Sequence, residues 1–213
     1  MIISPARRFV FIHPPKTGGT AISLAYEARA HKDDLLFGDT PKAKRRQGNF
    51  NRKHPEAKLS KHSPAPALST ALPEVDFTGW TVAMTVRNPW DRAVSFYAWA
   101  RAQSFEHTMI AAAKSQDFST FLQDPRVANP FKRGATPAYA APFTPRLLRH
   151  ERLEADWQAL CANLGLAPSL LPRVNTSDRT SDWRPYYTEA TAALIPNLFR
   201  WEVESLGYRF DPQ

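Results

Sequence analysis

The chain holds one cysteine, Cys161, among 213 residues. A single thiol excludes an intramolecular disulfide and leaves too few soft ligands for a zinc site. No run approaches the roughly 18 consecutive apolar residues that cross a bilayer as a helix, so no membrane span is expected. The opening residues, 1–8, carry no cationic segment followed by an apolar one; a secretory signal is not expected, and a cytoplasmic location is. The G-x-x-x-x-G-K-[ST] loop that binds nucleotide phosphates with magnesium is missing too. Acidic residues are short, 20 against 28 Lys and Arg, for a net charge of +8.

What is present begins at residue 9. Phe9-Val10-Phe11-Ile12 stops at His13-Pro14-Pro15, and Lys16-Thr17-Gly18-Gly19-Thr20-Ala21 opens a helix-compatible segment. That order predicts a buried strand, a tight turn and a helix N-terminus. Gly18 and Gly19 allow close backbone approach by a ligand. The first helical N–H groups lack intrahelical partners, and the helix dipole favours an anion there. Lys16 adds a charge and Thr17 and Thr20 add hydroxyls, so a phosphate-like group is the expected occupant.

A second strand-to-helix junction follows. Residues 80–86 read as a core strand and run into Arg87-Asn88-Pro89-Trp90-Asp91, with Asn88 as N-cap, Pro89 at the first helical position and Asp91 in the first turn. Arg87 thereby stands at a strand's C-terminal end, where open α/β sheets place ligands. Further helices are expected at 19–29, 89–103, 106–114, 118–122 and from 151 to Gly165, with a third strand at 143–149. The tail, 188–210, reads as helix broken near Pro196. Length and pattern predict one α/β domain over 1–213, with a central parallel sheet flanked by helices.

Both junctions resemble those of sulfotransferases that use 3′-phosphoadenosine 5′-phosphosulfate (PAPS). The Pro15-Lys16-Thr17-Gly18-Gly19-Thr20 string is similar to their 5′-phosphosulfate loop, and Arg87, with Ser95 eight residues on, to their 3′-phosphate motif. Arg149 and Glu151 match the family's R-x-E strand end, and Gly207-Tyr208-Arg209-Phe210 its close. The resemblance implies a P-loop-like sulfotransferase fold, with Lys16, Thr17, Gly18, Gly19, Thr20, Ala21, Arg87 and Ser95 holding the nucleotide. It adds Asn175 and Ser177 as a closing loop, with Arg179 as a further phosphate partner; an Asx turn is the plain alternative for that stretch. Lys16, Arg87 and backbone amides would supply the positive charge, so no metal is expected. Animal relatives usually carry a Golgi anchor, so a bacterial form is implied.

Sulfuryl transfer also needs a base at the acceptor. Among six histidines, His62, in Leu59-Ser60-Lys61-His62-Ser63, follows an expected strand near 57–61 and precedes an expected helix near 65–72; it resembles the catalytic base position of heparan-type enzymes. His13, at the end of the first strand, stays open as the alternative. Residues 31–76 read as a long basic insertion. From 29 to 61 there are ten Lys and Arg against four acids. Lys44, Arg45 and Arg46 are its candidate contacts to a carbohydrate or glycoconjugate acceptor, against the alternative of a solvated loop. The segment lacks interleaved stacking aromatics, and no nucleic-acid partner is expected. Two rival readings stand beside the transferase: a nucleotide-dependent phosphotransferase, which would need the missing magnesium loop, and a non-catalytic polyanion-binding protein.

Overall fold

The computed structural model describes residues 1–133, 136–174, 180 and 182–211. Among them, five strands form one sheet, in the order β3-β1-β2-β4-β5: β1 (Ile2–Ser4), β2 (Phe9–Ile12), β3 (Leu35–Leu36), β4 (Thr81–Val86) and β5 (Arg146–Arg149). Strands β2, β4 and β5 pair in parallel, with Phe9 opposite Thr81 and Val86 opposite Arg149. β1 runs antiparallel to both β2 and β3. The chain is α/β as expected, but its sheet is mixed rather than parallel. The cause is local: only residues 5–8 separate β1 from β2, and so short a connection can only fold a strand back antiparallel.

The helices are α1 (Gly19–Glu27), α2 (Pro41–Lys53), α3 (Pro66–Ala71), α4 (Pro89–Arg101), α5 (Thr108–Ser115), α6 (Phe118–Gln123), α7 (Pro125–Arg133), α8 (Thr136–Ala140), α9 (Leu153–Asn163), α10 (Glu189–Ala192), α11 (Ile195–Leu198) and α12 (Arg200–Leu206). No helix among the described residues is long and apolar enough to cross a membrane. Gly165, at φ 64°, takes the left-handed position after α9, and Leu166 N–H bonds back to Cys161 O at 2.9 Å, the stop its sequence position implied. The tail is broken into three short helices, with Pro196 in the first turn of α11.

The chain divides into two compact units, Met1–Val86 with Tyr139–Val174, and Arg87–Ala138 with Asn175–Gln213. In the first, Phe9 and Phe11 of β2 pack with Ile22 and Tyr26 of α1 and Trp157 and Leu160 of α9. Complete burial of side chains this large stabilises by about 2–3 kcal/mol each. The second unit has an aromatic core built on Trp90, Phe96, Tyr97, Phe118, Phe121 and Phe199.

Of the short strand and short helix expected within residues 31–76, the helix is present as α3 (Pro66–Ala71), and the segment also holds a helix the sequence did not show. That helix is α2, whose Thr40 hydroxyl accepts from Ala43 N–H at 3.0 Å and whose Pro41 fills the first helical position. Only Ala43 and Phe50 of α2 are buried, a stripe too narrow to show as amphipathic periodicity. The strand expected near 57–61 is absent; the chain there has no ladder partner, and the Leu59 carbonyl accepts instead from Gln47 Nε2 at 3.3 Å. The strand of this region is β3, two residues long. The third strand shortens from 143–149 to Arg146–Arg149, since Pro145 has no N–H to give a ladder.

Candidate anion site and transfer base

In the first unit the loop between β2 and α1 is held by its own side chains. Thr17 is buried, and its hydroxyl donates to Pro14 O at 2.7 Å and lies 2.7 Å from the buried Thr85 hydroxyl of β4. That bond ties the loop to the neighbouring strand. Lys16 has φ 64° and Gly18 φ 91°, so the turn visits the left-handed region twice, once at a residue with a Cβ. Such a conformation persists only where surrounding contacts impose it, and it clusters at ligand sites. Gly18 lacks a side-chain cap bond, and the first turn of α1 has no acidic residue. By contrast α2, α4, α5 and α6 are capped by the side chains of Thr40, Asn88, His107 and Asp117. Ala21 N–H is already engaged by Gly18 O at 3.2 Å.

Both glycines are needed for close packing. A Cβ on Gly19 would lie 2.3 Å from His13 Cδ2, and one on Gly18 would lie 2.8 Å from His150 Cδ2. His13 is buried, and burial holds its imidazole well below the ordinary pKa range, with the neighbouring charges of His62 and Lys61 pushing the same way.

His62 is beside it. The two rings meet edge to face with centroids 4.7 Å apart, and His62 Nδ1–H donates to His13 O at 2.7 Å. A carbonyl only accepts, so this bond puts the proton on Nδ1 and leaves Nε2 as the basic nitrogen. Burial lowers the pKa of His62, partly offset by that bond. The His62 turn is anchored on three sides. Tyr139 OH donates to His62 O at 3.2 Å, Ala65 N–H to Tyr139 O at 2.7 Å, and Lys61 pairs with Asp39 at 2.6 Å.

In the second unit Arg87, the residue after β4, is clamped by its own helix. Its Nε donates to Asp91 Oδ2 at 2.7 Å and its Nη1 to Ser95 Oγ at 3.2 Å. Ser95, a position that helical spacing alone does not single out, is therefore joined to Arg87. Asn88 caps α4 by accepting from Trp90 N–H at 3.0 Å, and its Nδ2 donates to Arg209 O at 3.0 Å.

Comparisons with protein-family models, curated proteins and solved structures return no match for this chain.

The remaining candidates divide. Lys44 and Arg45 are exposed on α2. Arg46 instead donates from Nη1 to His31 O and to Asp34 O, each at 2.7 Å, which gives it a structural task. Asn175, Ser177 and Arg179 lie outside the described residues. Thr85 and Tyr139 are additions to the sequence-based candidates, and His150, which reads from sequence as a surface or helix-flank residue, lies against Gly18. Thr85 carried a signal, a hydroxyl inside a buried strand near its ligand end; Tyr139 and His150 had none, because only chain packing brings them to the loop and the His62 turn.

Proposed function

We propose that the protein is a PAPS-dependent sulfotransferase acting on a hydroxyl of a carbohydrate or glycoconjugate. The observation that carries this reading is the tautomer of His62, a neutral ring with Nε2 left as its acceptor, packed on His13, which in turn lies against Gly19 at the uncapped start of α1. The residues suit a phosphosulfate: two glycines without Cβ atoms, a lysine held in the left-handed region, and no carboxylate in the first turn. Bound PAPS would supply the activated sulfuryl group. Lys16 balances charge on the leaving side, the α1 amides orient the anion, and His62 Nε2 takes the acceptor's hydroxyl proton. Within the second unit, Asp91 holds the plane of the Arg87 guanidinium beside Ser95, and it is the motif resemblance that matches this pair to a 3′-phosphate contact.

The exposed cations of α2 favour one other reading, a non-catalytic binder of polyanions. Calorimetric titration with 3′-phosphoadenosine 5′-phosphate (PAP), AMP and ATP–magnesium separates them. A transferase binds PAP at least about tenfold tighter than AMP, and Arg87→Ala removes that preference, since a lost charged hydrogen bond costs about 1.5–3 kcal/mol. Equal affinity for PAP and AMP in the unmutated protein rejects the assignment.

A further inference from the structure

We propose that His13 is itself a ligand contact, donating a hydrogen bond from Nε2–H to an anion oxygen held at the start of α1. The inference deepens the transferase reading of the same site and rests on it for the identity of the anion. His13 is 2 % exposed, and its Nδ1 is buried with no hydrogen-bond partner. A sealed donor is worse tolerated than a sealed acceptor, so the neutral ring carries its proton on the other nitrogen. That nitrogen lies against Gly19, 2.7 Å from where a Cβ would stand, at the first residue of α1. Burial keeps the ring uncharged, so it acts as a donor of fixed direction, not as a cation or a competing base.

The two histidines therefore have opposite polarity. His62 has its proton on Nδ1, pinned by the His13 carbonyl, and presents an acceptor; His13 has its proton on Nε2 and presents a donor. An acceptor suits the proton of an attacking hydroxyl, and a donor suits an oxygen that gains charge during transfer. Gly19 is what allows the donor to come this close: any side chain there would occupy the imidazole's place.

The test is a series at one position. The amide nitrogen of Gln reaches about where imidazole Nε2 stands, that of Asn falls short of it, and Leu has no donor. Binding of PAP and of inorganic pyrophosphate is measured by calorimetry for His13→Gln, His13→Asn and His13→Leu, with thermal melts as the check of folding. The expected result is a loss of about tenfold or more for Leu and Asn, and affinity within about threefold of the unmutated protein for Gln. A purely structural His13 predicts no such order, and unchanged affinity in His13→Leu overturns the proposal. Should the variants not fold, nitrogen NMR of the unmutated protein decides: His13 must report the Nε2–H tautomer and shift on saturation with pyrophosphate, and an Nδ1–H signal or no shift overturns it. A chain that binds pyrophosphate but not PAP loses the transferase reading while the pyrophosphate series still judges His13; a chain that binds neither loses both.

Discussion

At the scale of the residue, much of the site consists of side chains that hold other groups in place. Thr17 was expected to offer its hydroxyl to a phosphate; that hydroxyl is spent on Pro14 O and Thr85. Thr17→Val should cost about 1–3 kcal/mol in denaturant unfolding, because it strands the buried Thr85 hydroxyl. Replacing both threonines by Val should cost less than the two single losses added together; strict additivity would show that the pair does not act as one. His62→Ala should lower kcat by about 10²–10⁴-fold with PAP affinity retained. The pH dependence has a definite sign. Burial lowers the His62 pKa below the ordinary 6.5, and only the neutral ring accepts a proton, so kcat/KM, which reports the groups of the unliganded enzyme, should rise through a midpoint below that value and level off by about pH 7.5. A midpoint above 6.5, or loss in His13→Ala with none in His62→Ala, would assign the base elsewhere.

At the scale of the element, legibility followed the strength of local signals. β2, the Gly18–Gly19 turn and α1 could be read because a four-residue apolar run meets Pro, Gly and a helix start. So could α4, announced by Asn88 and Pro89, and the stop of α9 at Gly165. α2 could not, since two buried side chains in thirteen residues leave no periodicity; its one signal was Thr40 before Pro41. β3 is two residues long, below what alternation can show. The juxtaposition of His62 and His13 depends on a loop anchored by Tyr139 and Asp39, far away in the chain. Glycines test the element picture with opposite signs. Gly48 lies inside α2 with nothing within 4 Å of a built Cβ, so Gly48→Ala should stabilise by about 0.5–1 kcal/mol through helix propensity. Gly19→Ala places its methyl on the His13 ring and should destabilise and weaken PAP binding. Thermal melts of the two variants side by side check this, and equal shifts would refute the packing argument.

At the scale of the whole molecule, the charge of +8 is concentrated where structure has been built to display it. α2 has no acidic residue, and Lys44, Arg45, Arg52 and Lys53 are exposed. The helix is fixed to its unit by Thr40 donating to Glu27 Oε2 at 2.7 Å and Lys42 to Glu27 O at 2.8 Å. A cationic face outside the β2–α1 loop, the proposed nucleotide site, suits an anionic acceptor better than a cofactor, and its field is screened over about 8–10 Å at ordinary salt. The structure sharpens which residues should matter. Lys44→Ala with Arg45→Ala should raise the acceptor KM, flatten its dependence on salt and leave PAP affinity and melting temperature nearly unchanged. Arg46→Ala should behave differently, lowering the melting temperature because the carbonyls of His31 and Asp34 lose their donor. Steady-state kinetics across an ionic-strength series, with anionic and neutral saccharide acceptors, is the measurement. Identical acceptor kinetics in the Lys44 and Arg45 double variant would reduce the face to solvated surface, and a matching effect on PAP would place it on the cofactor side instead.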